Sequence, residues 1–440
     1  MKKALTLLLT LAMTLSLAAC GAKEEPAAST PAASTPAATE TGSVYYLNFK
    51  PEADQAGQAL AKLYTEQPGV EVKVVTAAGG NYSDTLTAEM AKDAAPTLFQ
   101  CGNQQGLLDW GDYCIDFTGT KVLDEMTTSD FNLTEDGAVK AIGYCYEAFG
   151  IIVNVELLET AGYTLADITN FETLKAVAED IHARSAELGF DAFSSAGLAG
   201  SSSWRFSGHL ANMPLYYEFR DDGVTSQPAT ITGAYLDNYR NIWDLYINNS
   251  SIATTSLPTA TGDMSTGEFK EGKAVFYQNG TWEYAGLVEA GMNPEKLAMI
   301  PIYCGVEGEE TAGLACGTEN CWAVNAKASE ADIQATLDFI YWVVTSDEGT
   351  EMMAKEFGPI PFKAAKESEN VFFNDANEYM ANGNYTVTWA FNHTPNVDSW
   401  RATVVTALAA YSADQTDANW ANVVSAFVDG WAYEYNVQNG

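Results

Sequence analysis

From Ser43 to Cys101 the apolar residues change their spacing repeatedly, and that alternation limits the fold more than any other feature. Ser43 to Phe49 (SVYYLNF) is a short run of strand-forming residues. Ala56, Leu60, Leu63 and Tyr64 then fall on one helical face, and Pro68-Gly69 makes a turn. Val70, Val72 and Val74 alternate with Glu71 and Lys73, the period of a half-buried strand. A second helix, Tyr82 to Lys92, leads through Pro96 to an apolar strand, Thr97 to Cys101. A β-α-β-α-β order predicts an α/β layered lobe. Farther on, Thr169 and Glu172 are spaced as a capping box before Leu174, Val177, Ala178 and Ile181. Ile333, Leu337, Ile340, Tyr341 and Val344 share one face of a later helix, and Trp420, Val423, Val424, Phe427 and Trp431 share a face of the last.

At 440 residues the chain is too long for one typical core, so two lobes are expected. Lys and Arg number 22 against 58 Asp and Glu, a formal net charge of −36. Such a surface repels phosphate backbones and anionic lipid, which argues against a nucleic-acid partner or a basic membrane patch. Three histidines leave little room for chemistry that needs a histidine cluster.

The first residues read as an export signal. Lys2 and Lys3 precede an apolar run, Ala4 to Leu17, that is short for a membrane span. Leu17-Ala18-Ala19-Cys20 is similar to a bacterial lipobox, in which the cysteine is lipidated and becomes the mature N-terminus. The alternative is an ordinary signal peptide with a chance cysteine. Residues 21–43 (GAKEEPAASTPAASTPAATETGS) contain no large apolar side chain and suit an extended tether. The expected order is a lipoprotein signal at 1–19, Cys20 with a linker to 43, and a folded part at 44–440. That order places the folded part on the outer face of a bacterial cytoplasmic membrane.

Six further cysteines are present: Cys101, Cys114, Cys145, Cys304, Cys316 and Cys321. The compartment permits disulfides, but the density is not that of a disulfide scaffold. Buried thiols with up to one disulfide are expected. Neither a close CxxC pair nor an adjacent His supports zinc, and no metal or cofactor is expected.

Five segments together carry a family resemblance: AKLYTEQPGVEVKVV (61–75), LTAEMAKDAAPTLFQCGN (86–103), YEAFGIIVNVELLETAGY (146–163), GEFKEGKAVFYQNGTWEYAGL (267–287) and FIYWVVTSDEGTEMMAKEFGPIPFKAA (339–365). In this order the chain resembles a family 1 extracellular solute-binding protein, a relative of maltose-binding protein that captures ligand for an ABC importer. The FKEGKAVFYQNGTW run is the most specific piece. The resemblance implies two α/β lobes with a ligand cleft between them, a monomer, and a partner permease. It implies chain crossings near Phe149, Cys316–Cys321 and Lys363, with lobe one at about 44–148 and 319–363 and lobe two at about 149–318 and 364–440.

It also implies a carbohydrate ligand, an oligosaccharide for preference, held by aromatic plates and polar side chains. Trp282, in the Asn-Gly-Thr-Trp turn, is the first candidate, because an indole gives sugar C–H faces a flat apolar surface. A core position under a strand end is the alternative. Trp204, after Ser201-Ser202-Ser203, together with Trp389, Phe391 and Trp400, are candidates for which core packing has equal claim. Glu147 precedes the first crossing, and its carboxylate can accept two hydroxyl hydrogen bonds. Asn48, Lys50 and Glu52 follow the first strand, and Asn103, Gln104 and Gln105 the third, at the carboxyl ends where open α/β sheets bind ligands. Thr318 and Asn320 lie at the second crossing, and Arg401 could meet a sugar or an acidic substituent. For each of these a solvated loop position is the alternative.

Neither a Gly-x-Ser-x-Gly elbow nor an HExxH, Walker A or calcium-loop motif is present, which favours binding over catalysis. Two alternatives stay open: the same fold with another ligand, such as a polyamine, an amino acid or an anionic sugar, and a tethered carbohydrate-active enzyme.

Overall fold

The computed structural model describes residues 41–440 apart from Pro68. The export segment, Cys20 and most of the linker lie outside the described residues, as does the proline of the Pro68-Gly69 turn. Among the described residues no helix is long and apolar enough to cross a membrane.

Two six-stranded sheets organise the rest. The first contains β1 (Val44–Asn48), β2 (Val72–Thr76), β3 (Leu98–Gln100), β4 (Leu133–Glu135) and β5 (Ala138–Gly143). The second is built on β6 (Glu147–Asn154), with β7 (Asp191–Phe193), β8 (Ala274–Gly280), β9 (Leu297–Ile300), β10 (Ala312–Gly317) and β12 (Tyr385–Thr388). β11 (Cys321–Val324) returns to the first sheet, whose order is β2-β1-β3-β11-β5-β4. β1 is parallel to β2 and β3, as the alternating pattern requires, while β11 inserts antiparallel between β3 and β5. In the second sheet β6 pairs along one edge with β8, and along the other first with β10 and then with β9. The chain therefore passes from one sheet to the other between Gly143 and Glu147, and back between Gly317 and Cys321.

The helices pack where their apolar spacing dictates. Asp54–Glu66 buries Ala56, Leu60, Ala61 and Tyr64 against the first sheet's core. Phe171–Ala183 buries Phe171, Leu174, Val177, Ala178 and Ile181. Its cap differs from the expected Thr169–Glu172 pair. Asn170 is the N-cap, its Oδ1 accepting the Thr173 N–H at 3.0 Å, and the Asn170 N–H donates to Thr173 Oγ1 at 3.1 Å. Asparagine caps well, and this register leaves Glu172 in the first turn, where the helix dipole favours it.

All six cysteines in the described residues are free thiols, and the one disulfide that the sequence left open is absent among them. Cys316 and Cys321 are near in sequence but end strands of different sheets: Cys316 lies opposite Ala148, and Cys321 opposite Gly143. Cys101, Cys114 and Cys321 pack instead as small apolar side chains in one core cluster with Leu47 and Phe99.

Candidate functional site

The carboxyl end of β8 begins the site. Gly280 has no side chain, and a β-carbon there would lie 2.2 Å from the Trp282 ring. Glycine lets the indole fold back over the strand end, where it stays partly exposed. His209 stands 5.2 Å from Trp282, ring centre to ring centre, and stacks on Phe149 at 4.7 Å. Phe149 meets Trp389 at 5.5 Å, Trp389 stacks on Phe391 at 5.5 Å, and Phe391 meets Trp204 at 6.4 Å. The Arg401 guanidinium ends the series, 3.3 Å from the centre of the Trp204 ring. A second glycine supports this wall: a β-carbon at Gly317 would lie 2.5 Å from Trp389.

Trp282, Trp204, Trp389, Phe391 and Arg401 are thus brought into one continuous arc. Trp282 and Trp204 keep partly exposed faces, whereas Trp389 and Phe391 are buried behind them. Trp400 is not part of the arc. It is buried against Phe427 and Trp431, and its indole N–H donates to the Phe427 carbonyl at 2.9 Å.

A second group of candidates meets where the chain passes between sheets. Lys50 is 3% exposed and its ammonium contacts both Glu147 and Glu52. Burial alone would lower its pKa, but the two carboxylates outweigh that and raise it well above the usual lysine range. Asn320 Nδ2 donates to Glu147 Oε2 at 2.8 Å, and the Asn320 N–H to Thr318 Oγ1 at 2.8 Å. Thr318 in turn donates to the Cys145 carbonyl at 2.6 Å. Asn48, fully buried, uses its amide on the Lys50 carbonyl and Thr76 Oγ1. Asn48, Lys50, Glu147, Thr318 and Asn320 therefore satisfy one another and tie the two crossings to the end of β1.

Asn103 caps the helix Gln104–Trp110, accepting the Gly106 N–H at 3.0 Å, and donates to Glu319 Oε1 at 2.8 Å. Gln104 is exposed beside it, and Glu52 is partly exposed at the Lys50 ammonium. The two halves touch where Gln105 Oε1 accepts the Asn396 N–H at 3.4 Å, and where the Gly79-Gly80 turn approaches Ser201. Between them lies a small cavity of about 20 Å³, lined among others by Lys50, Glu147, Trp282, Lys355, Phe357 and Asn370.

Sequence reasoning passed over His209, Arg205, Glu283 and Glu319. Burial pushes the His209 pKa down to about 3, and the Arg401 and Arg205 charges add to the effect, so the imidazole is neutral. Burial raises Glu319 to about 7 against the opposing hydrogen bond from Asn103, and raises Glu283 to about 7 as well. The available signal was the run Trp204-Arg-Phe-Ser-Gly-His209, whose last five residues lie in the π-helical turn Arg205–Leu210, a geometry frequent at functional sites. Among the described residues, no group of three or more His, Cys, Asp or Glu is placed to hold a metal ion.

Two sheets joined by exchanged strands, with an aromatic wall where they face each other, define a two-lobed ligand-capturing protein. The chain belongs to the bacterial extracellular solute-binding protein family, whose model matches residues 59–371. No curated protein matches by sequence. Among solved structures, RafE bound to raffinose shares the fold with a TM-score of 0.69 and 17% identity, over 91% of this chain and 100% of that one. The GacH receptor of Streptomyces glaucescens, described in unliganded and acarbose-bound forms, gives 0.64 at 18% identity, over 90% and 99%. A sugar transporter from Bacillus licheniformis in complex with stachyose gives 0.64 at 15% identity, over 90% and 100%. At these identities the likeness defines the fold.

Proposed function

We propose that this protein captures a carbohydrate, an oligosaccharide for preference, between its lobes and delivers it to the membrane subunits of an ABC importer. The observation that carries this reading is the arc from Trp282 to Trp204. It presents two large, rigid, partly exposed indoles on one wall, backed by buried rings that fix their orientation. Flat apolar plates flanked by polar groups suit a sugar, whose C–H faces stack while its hydroxyls hydrogen-bond. The sugar ligands of the structurally similar proteins point the same way.

In this reading Trp282, Trp204 and Arg401 form the lobe-two wall. Asn103, Gln104 and Glu52 serve the lobe-one wall, and the Lys50–Glu147 network holds the crossings. Lobe one comprises about 44–148 and 319–363, and lobe two about 149–318 and 364–440. The protein acts as a binder rather than an enzyme, held at the outer face of the membrane by lipid on Cys20. The test is a thermal-shift screen with mono- and oligosaccharides, polyamines and amino acids, since a bound ligand raises the melting temperature by mass action. Stabilisation by sugars alone supports the reading. Stabilisation by a polyamine or amino acid alone, or turnover of an oligosaccharide, removes it.

A further inference from the structure

Arg401 has fewer partners than its burial demands. The residue is 7% exposed. Its Nη2 donates to Ser203 Oγ at 3.1 Å, and its Nη1 reaches Asp398 at 3.4 Å, a carboxylate that is 63% exposed. Its Nε is fully buried and has no hydrogen-bond partner. A buried guanidinium is costly unless a close, hydrogen-bonded counter-ion offsets the lost hydration. The other buried arginine of this wall, Arg205, donates to the carbonyls of Gln278 and Ser195 and forms no ion pair among the described residues. His209, near both, is kept neutral and supplies no charge, and its Nδ1 is buried without a partner.

Neighbouring carboxyls do not fill the gap at Arg401. Glu319 is engaged with Asn103 Nδ2, and burial weakens its acidity. Asp398 is shared with solvent. Stacking on Trp204 meanwhile fixes the plane of the guanidinium beside the proposed sugar surface. A planar fork of donors held in this way matches a carboxylate, which accepts two parallel N–H bonds.

We propose that the ligand is an acidic carbohydrate, one bearing a uronic-acid-type carboxylate, and that Arg401 receives that carboxylate. This rests on the carbohydrate reading above and narrows it. The net charge of −36 does not oppose it at contact range, because salt screens exposed charges beyond roughly 8 Å under physiological conditions.

The test is calorimetric titration of the full-length protein in detergent with uronic-acid oligosaccharides and with their methyl esters, which differ in charge but keep the ring hydroxyls. The acids are expected to bind at least about tenfold more tightly than the esters, the scale of one charge-assisted contact. Arg401→Gln is expected to bring the two affinities together. The wild-type comparison stands by itself if that variant folds poorly. Equal or tighter binding of the esters, or binding of neutral oligosaccharides alone, overturns the inference and leaves the carbohydrate reading intact. Binding of no sugar of either kind removes both.

Discussion

Trp282 lies across Gly280 so closely that the strand end tolerates no side chain there: a β-carbon would meet three ring atoms at 2.2 to 2.5 Å. The position of the indole is thus set by a missing atom two residues earlier. Gly280→Ala is expected to push the ring off the wall and to weaken ligand binding more than tenfold. The overpacking should cost about 1–3 kcal/mol of stability. Titration and thermal melting of the same sample separate the two effects, and normal affinity in this variant would show that ring placement is immaterial.

Removal of the ring itself gives the complementary result. Trp282→Ala should weaken binding by about 1–3 kcal/mol, the scale of stacking a flat ligand on an aromatic side chain. Because the indole is partly exposed, the melting temperature should fall only a few degrees. A variant that binds normally but melts far earlier would place Trp282 in the core.

The Lys50–Glu147 pair makes a prediction about stability rather than affinity. Both side chains are nearly inaccessible, at 3% and 9%. Lys50→Met should cost about 3–5 kcal/mol, because it leaves the Glu147 charge buried beside Asn320 with no cation. Lys50→Met combined with Glu147→Leu should recover much of that loss. Urea unfolding of the single and double variants measures it, and additive losses would contradict the coupling.

Glu319 links the site to pH. Burial raises its pKa to about 7, above the ordinary value of 4.5, so the folded state holds a proton that the unfolded state has released. Its contribution is therefore favourable below pH 4.5 and is lost as pH rises through 7. His209, lowered to about 3, acts in the opposite direction between pH 3 and 6.5 and is silent above that. Wild-type stability should fall from pH 6.5 to 8, and Glu319→Gln should flatten part of that fall. Glu283, also raised to about 7, accounts for the remainder that Glu283→Gln would remove. Identical slopes in wild type and both variants would contradict this assignment.

Cys20→Ser should leave the protein without lipid and free of the membrane, because the lipobox reading makes this thiol the acylated group. Lipid labelling and fractionation of the variant check it, and unchanged labelling would exclude Cys20 as the anchor.

Much of the fold could be read from spacing. The alternation from Ser43 to Cys101 became β1, β2, β3 and their helices, because parallel strands and amphipathic helices carry different apolar periods. Strand exchange was harder to see. β11 reads as an ordinary apolar run, and nothing within four residues says that it returns to the first sheet while β10 stays in the second. The same limit applies to the site. Trp282 stands out through the family resemblance of its Asn-Gly-Thr-Trp turn, and Trp204 because its serine-rich loop has no apolar periodicity. Trp400 looked similar at the start of a helix, yet it is buried between the helices Val397–Ala413 and Asp417–Asn439, a contact made with residues 27 and more positions away. Lys50, Glu147 and Asn320 read as loop polar groups, and only three-dimensional proximity shows that they neutralise one another.

The most direct test of the account is a crystal structure of the protein with the oligosaccharide that most raises its melting temperature. The expected result is a sugar ring stacked on Trp282 or Trp204, with its hydroxyls on side chains from both lobes and an acidic substituent, where present, on Arg401. A sugar bound away from both indoles, or a cleft occupied by a non-carbohydrate solute, would contradict it.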